Sequence, residues 1–265
     1  MYIDFHVHAF TDSLAERAMA KLAGVADFPP YTNGTEADTR AKLSEWGIDY
    51  GVLLPIATKP TQQTNINNWA AEINRGELIC FGSVHPYAED AAAEVERIKA
   101  LGLKGVKIHP DYQGVYLFDK AWDKVLDKCG ELDLPVTIHM GYDPVSPLQR
   151  HAMPYDLAEA ARRFPKTKFI GAHMGGMYSW ESVMQYLAGA ENVWLDTAFT
   201  AGMIDEKQCC DIIKAHGIRR ILFASDLPWH PSYMEKEMIE GLPLSAEEKE
   251  MIFWKNAAKL LDLNV

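Results

Sequence analysis

Near the start of the chain stand two histidines two residues apart, His6-Val7-His8. In an extended strand that spacing turns both imidazoles to one face, where they can chelate one cation. Residues of the same ligand types close three later apolar runs: His139 ends Pro135-Val-Thr-Ile-His139, His173 ends Phe169-Ile-Gly-Ala-His173, and Asp226 ends Ile221-Leu-Phe-Ala-Ser-Asp226. A carboxylate after so apolar a run is costly to bury unpaired, and a metal or a proton to carry would account for it. Imidazoles together with a carboxylate suit zinc with a position left open for water. Zinc would lower the pKa of that water toward about 7. Asp226 could then bind the metal and take the water's proton, while His173, if not itself a ligand, could polarise a substrate or shuttle a proton. Each of these residues taken singly also has a plain reading, such as a core histidine bonded to backbone; their recurrence at four strand ends favours a site.

Lys107, in Lys104-Gly-Val-Lys107-Ile-His109-Pro110, leaves three readings open. Its amine could be carboxylated and bridge two metals, it could stay an ammonium and bind a substrate carboxylate, or it could point outward. His109 shares its face and follows it. His85, before Pro86, is a weaker candidate. His151, His216 and His230 fall in loop or helix contexts and read as solvated or structural, although Trp229-His230 follows Asp226 closely enough to line a pocket. Trp229, Phe199 and Tyr178 are aromatics near strand ends that could pack on a ring. Met174-Gly175-Gly176 would let a ligand approach the backbone after His173.

What must position these residues is a repeated βα unit. Strand-like runs at 2–8, 50–56, 78–85, 103–109, 135–140, 168–173, 193–198 and 220–226 alternate with amphipathic helical stretches, clearest at 36–46, 90–100, 120–131, 155–163, 205–215 and 246–261. Eight such units in 265 residues predict a single α/β domain, a (β/α)8 TIM barrel spanning 1–265. Ser245 with Glu248 reads as a capping box. Gly102, Gly130 and Gly217 stand where helices should stop. In such a barrel the strand C-termini converge on one mouth, which brings His6, His8, His139, His173 and Asp226 together. The stretch 9–35, turn-rich at Asp27-Phe28-Pro29-Pro30 and Asn33-Gly34, would lie over that mouth as a lid or as a plain loop with a short helix around 14–22.

These motifs resemble the amidohydrolase superfamily, in particular the branch of metal-dependent barrel hydrolases that includes aminocarboxymuconate semialdehyde decarboxylase and related decarboxylases. The resemblance rests on Ile3-Asp4-x-His6-x-His8, Gly105-Val-Lys-Ile-His-Pro110, Pro135-Val-x-Ile-His139, Gly171-Ala-His173-Met-Gly-Gly176, Ala224-Ser-Asp226-x-Pro228 and the closing Ile252-Phe-Trp-Lys-Asn256-Ala-Ala-Lys-Leu-Leu261. It implies His6, His8, His139 and Asp226 as metal ligands, Asp226 and His173 as catalytic groups, and one zinc, or two if Lys107 matches the bridging lysine of binuclear members. It does not choose between hydrolysis and carbon–carbon cleavage. The leading expectation is a hydrolase in which zinc-bound hydroxide attacks a small amide, lactone or ester. The alternative is a non-oxidative decarboxylase or hydratase of a small carboxylated, aromatic or dienoic, substrate. A third reading is a catalytically silent barrel that binds metal or a metabolite.

Composition narrows the partners. The chain is 48% hydrophobic and 24% charged, a globular balance. With 37 acidic against 26 basic residues it carries −11, which disfavours nucleic acid and anionic membrane and leaves a small molecule as the expected partner. No signal peptide or membrane helix is expected, and a cytoplasmic protein is, with a homodimer as the family's habit. Cys80, Cys129, Cys209 and Cys210 read as free thiols of a reducing compartment.

Overall fold

The computed structural model describes residues 1–26 and 28–265; Asp27 of the expected turn lies outside the described residues. Among the described residues nine parallel strand segments carry the fold: β1 (Ile3–Val7), β2 (Tyr50–Leu53), β3 (Leu78–Cys80), β4 (Gly82–Ser83), β5 (Val106–Ile108), β6 (Val136–Ile138), β7 (Phe169–Gly171), β8 (Val193–Asp196) and β9 (Ile221–Leu222). They pair in sequence order, β1 to β3 and β4 to β9. The expected strand 78–85 is one path with a switch of partner: Phe81 N donates to Leu53 O, and Gly82 N donates to Gly105 O. The ring closes where Phe5 N donates to Phe223 O (2.8 Å), Asp226 N donates to His6 O (2.8 Å), and Val7 bridges Leu227 in parallel. The eight expected strands are therefore present, each shorter than its apolar run because only the ladder-bonded residues count as strand.

Helices alternate with them: α1 (Asp12–Ala26), α2 (Glu36–Glu45), α3 (Gln63–Ile73), α4 (Ala91–Ala100), α5 (Pro110–Gln113), α6 (Asp123–Glu131), α7 (Pro154–Arg163), α8 (Trp180–Tyr186), α9 (Glu206–His216), α10 (Ser232–Gly241), α11 (Ala246–Glu250) and α12 (Asn256–Leu261). Their ends follow local chemistry. Thr35 caps α2 by accepting from Asp38 N, Asp205 caps α9, and Ser245 with Glu248 forms the expected capping box of α11. Gly102 and Gly217 turn the chain at positive φ after α4 and α9. Gly130 does not stop α6, which runs on to Glu131 before Asp133 takes the left-handed conformation. The expected last helix is interrupted by π-helical Met251–Lys255. Helices α3, α5, α8 and α10 fall outside the clearest helical stretches of the sequence; α3 and α10 carry polar residues at buried positions, Gln63 and Asn67 in one and Ser232 and Glu235 in the other, and these blur the apolar period.

Inside the ring, Phe5, Leu54, Phe81, Ile170 and Leu222, from different strands, pack together with Ala257 and Leu261 of α12. Gly105 lets the Phe81 ring cross: a Cβ there would meet that ring at 2.3 Å. Among the described residues no helix is long and apolar enough to cross a membrane.

All four cysteines are free and buried. Burial pushes the Cys80 and Cys209 thiols up to about 12, and Cys129 up as well. Unfolded thiols ionise near the ordinary 9 while these stay protonated, so their stabilising contribution is present below that value and is lost as pH rises toward 12. At pH 8 a disulfide thiol reagent is expected to leave Cys80, Cys129 and Cys209 unreacted in the folded protein and to titrate all four in denaturant. Rapid reaction of these three under native conditions would contradict the packing.

Candidate active site

The strand C-termini deliver the expected residues to one end of the ring. Opposite Gly51 and Leu53 of β2, the register of β1 shifts between Asp4 and Val7, so β1 carries one extra residue in the stretch that bears Phe5 and His6. His6 Nε2 and His8 Nε2 come to 3.1 Å of each other, and Asp226 Oδ1 lies 3.4 Å from the first and 3.2 Å from the second. These are the three side chains among the described residues whose donor atoms cluster closely enough to hold one metal ion.

The other nitrogens fix the protonation of this pair. His8 Nδ1 lies 2.8 Å from Leu54 O, and a carbonyl accepts, so His8 Nδ1 carries the proton. His6 Nδ1 lies 2.9 Å from Asp196 Oδ2 and donates to that carboxylate. Burial, then the Lys107 charge, holds His6 well below the usual histidine range, which keeps it neutral. Two unprotonated Nε2 atoms thus face each other beside a carboxylate, and that of His6 also lies 3.1 Å from Lys107 Nζ. The set gathers around positive charge, and its nitrogen and oxygen donors fit a divalent transition metal.

His139 is not in that cluster. His173 Nδ1 donates to Ala198 O (2.9 Å), so His173 Nε2 accepts from His139 Nδ1 at 3.1 Å. That tautomer leaves His139 Nε2 bare, and this buried atom has no hydrogen-bond partner among the described residues. Lys107 points inward and is fully buried, which removes the outward reading; its Nζ lies 3.1 Å from His6 Nε2. Burial pushes its amine below the usual lysine range, and the Asp196 and Asp226 carboxylates oppose that. His109 follows it inside and stacks on His139 with ring centroids 4.0 Å apart. His85 is buried away from the cavity, His151 pairs with Asp111 (2.7 Å), His216 bonds the carbonyls of Leu187 and Val193, and His230 lies 3.0 Å from Glu235.

Two carboxylates that the sequence reading left without a role hold the ligands. Asp196 ends β8 fully buried; besides His6 it accepts from His173 N (2.9 Å) and Ala198 N (3.1 Å). Its signal was available: like Asp226, it closes an apolar strand, Val193-Trp-Leu-Asp196. Asp4 accepts from His6 N, Ser225 N and Ser232 Oγ, tying β1 to the segment that bears Asp226. Burial pushes the Asp4 carboxyl up to about 6 against those donors. Asp226 itself sits at φ +76, a conformation costing roughly 1–3 kcal/mol in a non-glycine residue. The His6 O bond to its N and the Trp229 N bond to its O keep it there. The glycines after His173 serve packing rather than ligand approach: Gly175 has φ +83, and a Cβ there would meet Leu195 at 2.9 Å.

Above the cluster lies a cavity of about 480 Å³, large enough for a small ring compound. Its walls are mostly apolar, with Phe10, Ile56, Trp69, Phe199 and Trp229 among them, and Tyr178 at its edge. Helix α1 contributes Leu14, Leu22 and Ala26, so the long segment after β1 does cover the mouth. Among the described lining residues Lys107 is the sole lysine, and no arginine joins it.

The amidohydrolase family model matches residues 3–263. The chain belongs to the amidohydrolase family. Among characterised relatives it is 25% identical over 245 residues to the decarboxylase orsB of Emericella nidulans, covering 74% of this chain and 73% of that one. It is 24% identical over 281 residues to 2-amino-3-carboxymuconate-6-semialdehyde decarboxylase of Caenorhabditis elegans, covering 80% and 67%. Among solved structures, a dihydroxybenzoic acid decarboxylase from Polaromonas sp. JS666, with bound manganese and 2-nitroresorcinol, superposes with TM-score 0.76 at 19% identity over 100% and 97% of the two chains. These relatives are decarboxylases, which corrects the expected hydrolysis of an amide, lactone or ester by zinc-bound hydroxide. The reason sequence reasoning chose wrongly is chemical. The same ligand set can activate water or bind substrate oxygens, and nothing in strand-end residue types distinguishes the two.

Proposed function

We propose that this family member is a metal-dependent, non-oxidative decarboxylase of a small carboxylated ring or dienoic substrate. The observation that carries the reading is the pair of facing, unprotonated imidazole nitrogens of His6 and His8 beside Asp226 at the floor of an apolar, ring-sized cavity. His6, His8 and Asp226 would hold one divalent ion, and His139, whose buried Nε2 has no hydrogen-bond partner among the described residues, would be the fourth donor. The imidazole donors suit zinc, the ion expected from sequence, while the similar Polaromonas decarboxylase holds manganese. When bound, the ion supplies a Lewis acid that holds substrate oxygens and draws electron density from the ring.

The protein groups then manage one proton. Decarboxylation replaces a carboxylate on carbon by hydrogen: the carbon gains a proton, the carbon–carbon bond breaks, its electron pair returns to the ring, and carbon dioxide leaves. Asp226, partly exposed to the cavity, is the carboxyl that delivers the proton. His173, held by Ala198 O, fixes the ring of His139 at the cavity wall. Lys107, as an ammonium beside His6, adds positive charge where the substrate carboxylate enters. The apolar walls and α1 exclude water, which favours departure of neutral carbon dioxide from a charged acid.

The test is carbon dioxide release from a panel of benzoic and dienoic acids by metal-free protein reloaded with zinc or manganese. Release that needs the metal supports the reading; ester or amide cleavage without carbon dioxide release from any acid would overturn it. Asp226→Asn is expected to keep the fold, because asparagine tolerates positive φ, and to lose at least about a hundredfold in kcat. Unchanged turnover would remove Asp226 from proton transfer.

A further inference from the structure

The cavity has a second polar pole, formed by Asp143 in the loop after β6. Asp143 is buried and lines the same space as His8 and Asp226. Tyr112 connects the two poles: its hydroxyl reaches Asp143 Oδ1, its ring stacks on His109 at 3.6 Å, and His109 stacks on His139. Among the described residues the donors to Asp143 are all neutral: Ser146 Oγ at 2.5 Å, Val145 N at 3.2 Å and Tyr112 OH at 3.4 Å. A carboxylate has about four acceptor positions, so one is unfilled and the long tyrosine bond is weak. The lysine of the cavity is occupied elsewhere, at His6.

We infer that Asp143 is a specificity determinant of this cavity: it accepts a hydrogen bond from a hydroxyl or amino group on the substrate and excludes a second carboxylate. The inference rests on the decarboxylase reading for the identity of the first carboxylate, which the metal pole takes. The second pole then meets whatever the far side of the ring bears. A donor there satisfies the vacant acceptor position. An ether leaves that position unpaired in a dry site, and a carboxylate meets a like charge with no cation to offset it, each a loss a built polar site converts into strong discrimination. The preferred substrate is therefore a monocarboxylic ring acid carrying a hydrogen-bond donor.

Calorimetric binding to the metal-loaded protein tests this with three sets of probes: the monohydroxybenzoates, the methoxybenzoates and the benzenedicarboxylates, each referred to benzoate. At least one hydroxybenzoate is expected to bind about tenfold or more tighter than its methoxy and carboxy counterparts. Asp143→Asn keeps an acceptor oxygen but no charge, so it should bring the dicarboxylate to within about threefold of the hydroxy acid. Equal affinities for the three sets in the wild type, failure of every probe to bind, or discrimination unaltered in Asp143→Asn would each overturn the inference. The wild-type ratios decide it even if the variant does not fold. Carbon dioxide release is scored separately: discrimination without release removes the decarboxylase reading and leaves Asp143 its role, whereas release without discrimination does the reverse.

Discussion

Protein with His6 and His8 both replaced by alanine is expected to purify with less than about a tenth of the metal held by the wild type, and to lose more activity than the roughly 10–100-fold that removal of an outer-shell partner costs. The two Nε2 atoms stand 3.1 Å apart because each Nδ1 is tied down, one by Asp196 and the other by Leu54 O. The lone pairs are therefore aimed before any ion arrives, and alanine removes both at once. Asp226 and His139 together offer only two donors, too few to hold a transition metal tightly against water. The imidazoles are not part of the packed apolar interior, so the far-ultraviolet circular dichroism of the variant should match the wild type. Metal content by mass spectrometry is the decisive measurement; a variant that retained stoichiometric metal and activity would place the ion elsewhere.

The second large effect is expected at Asp196, through two variants that separate support from folding. Asp196→Ala strands three buried donors, His6 Nδ1, His173 N and Ala198 N. At about 1–3 kcal/mol for each unsatisfied group, the cost is several kcal/mol, or a fall in Tm of about 10 °C for a domain of this size. Asp196→Asn keeps one oxygen for the backbone donors but turns an amide toward His6. An amide N–H facing an imidazole N–H is repulsive, so His6 is driven to the other tautomer, with its proton on the Nε2 that should meet the ion. Metal affinity should fall about 10–100-fold with a much smaller loss of stability. Equal metal affinity in Asp196→Asn and wild type would show that His6 does not depend on this carboxylate for its tautomer.

Both variants concern the part of the site that was hardest to read from the chain. His6, His8, His139, His173 and Asp226 stood out because a polar ligand type at the end of an apolar run is expensive unless it has work to do, and a strand's end is visible in sequence. Asp196 obeys the same rule and still passed unnoticed, because it makes no ligand motif; its role depends on His6 and His173 arriving from chain positions 190 and 23 residues away. Asp143 lies in a loop with no periodic signal at all, and only the cavity gives it a context.

By itself the sequence determined the eightfold alternation of strand and helix, and with it the convergence of the strand ends, because hydrophobic period, helix caps and chain length are local properties that survive without coordinates. It also determined which residue types meet at the mouth. Only the tertiary structure decided how they meet. The register shift in β1 places His6, the hydrogen bonds to Asp196 and Leu54 choose the tautomers, and the inward turn of Lys107 removes one of its three readings. These outcomes depend on distances between residues far apart in the chain, which no spacing along it encodes. The reaction lay outside both strand pattern and ligand set, since one cation between two imidazoles serves hydrolysis and decarboxylation alike. The relatives turned that choice, and the apolar cavity above the cluster supplies the physical setting for it.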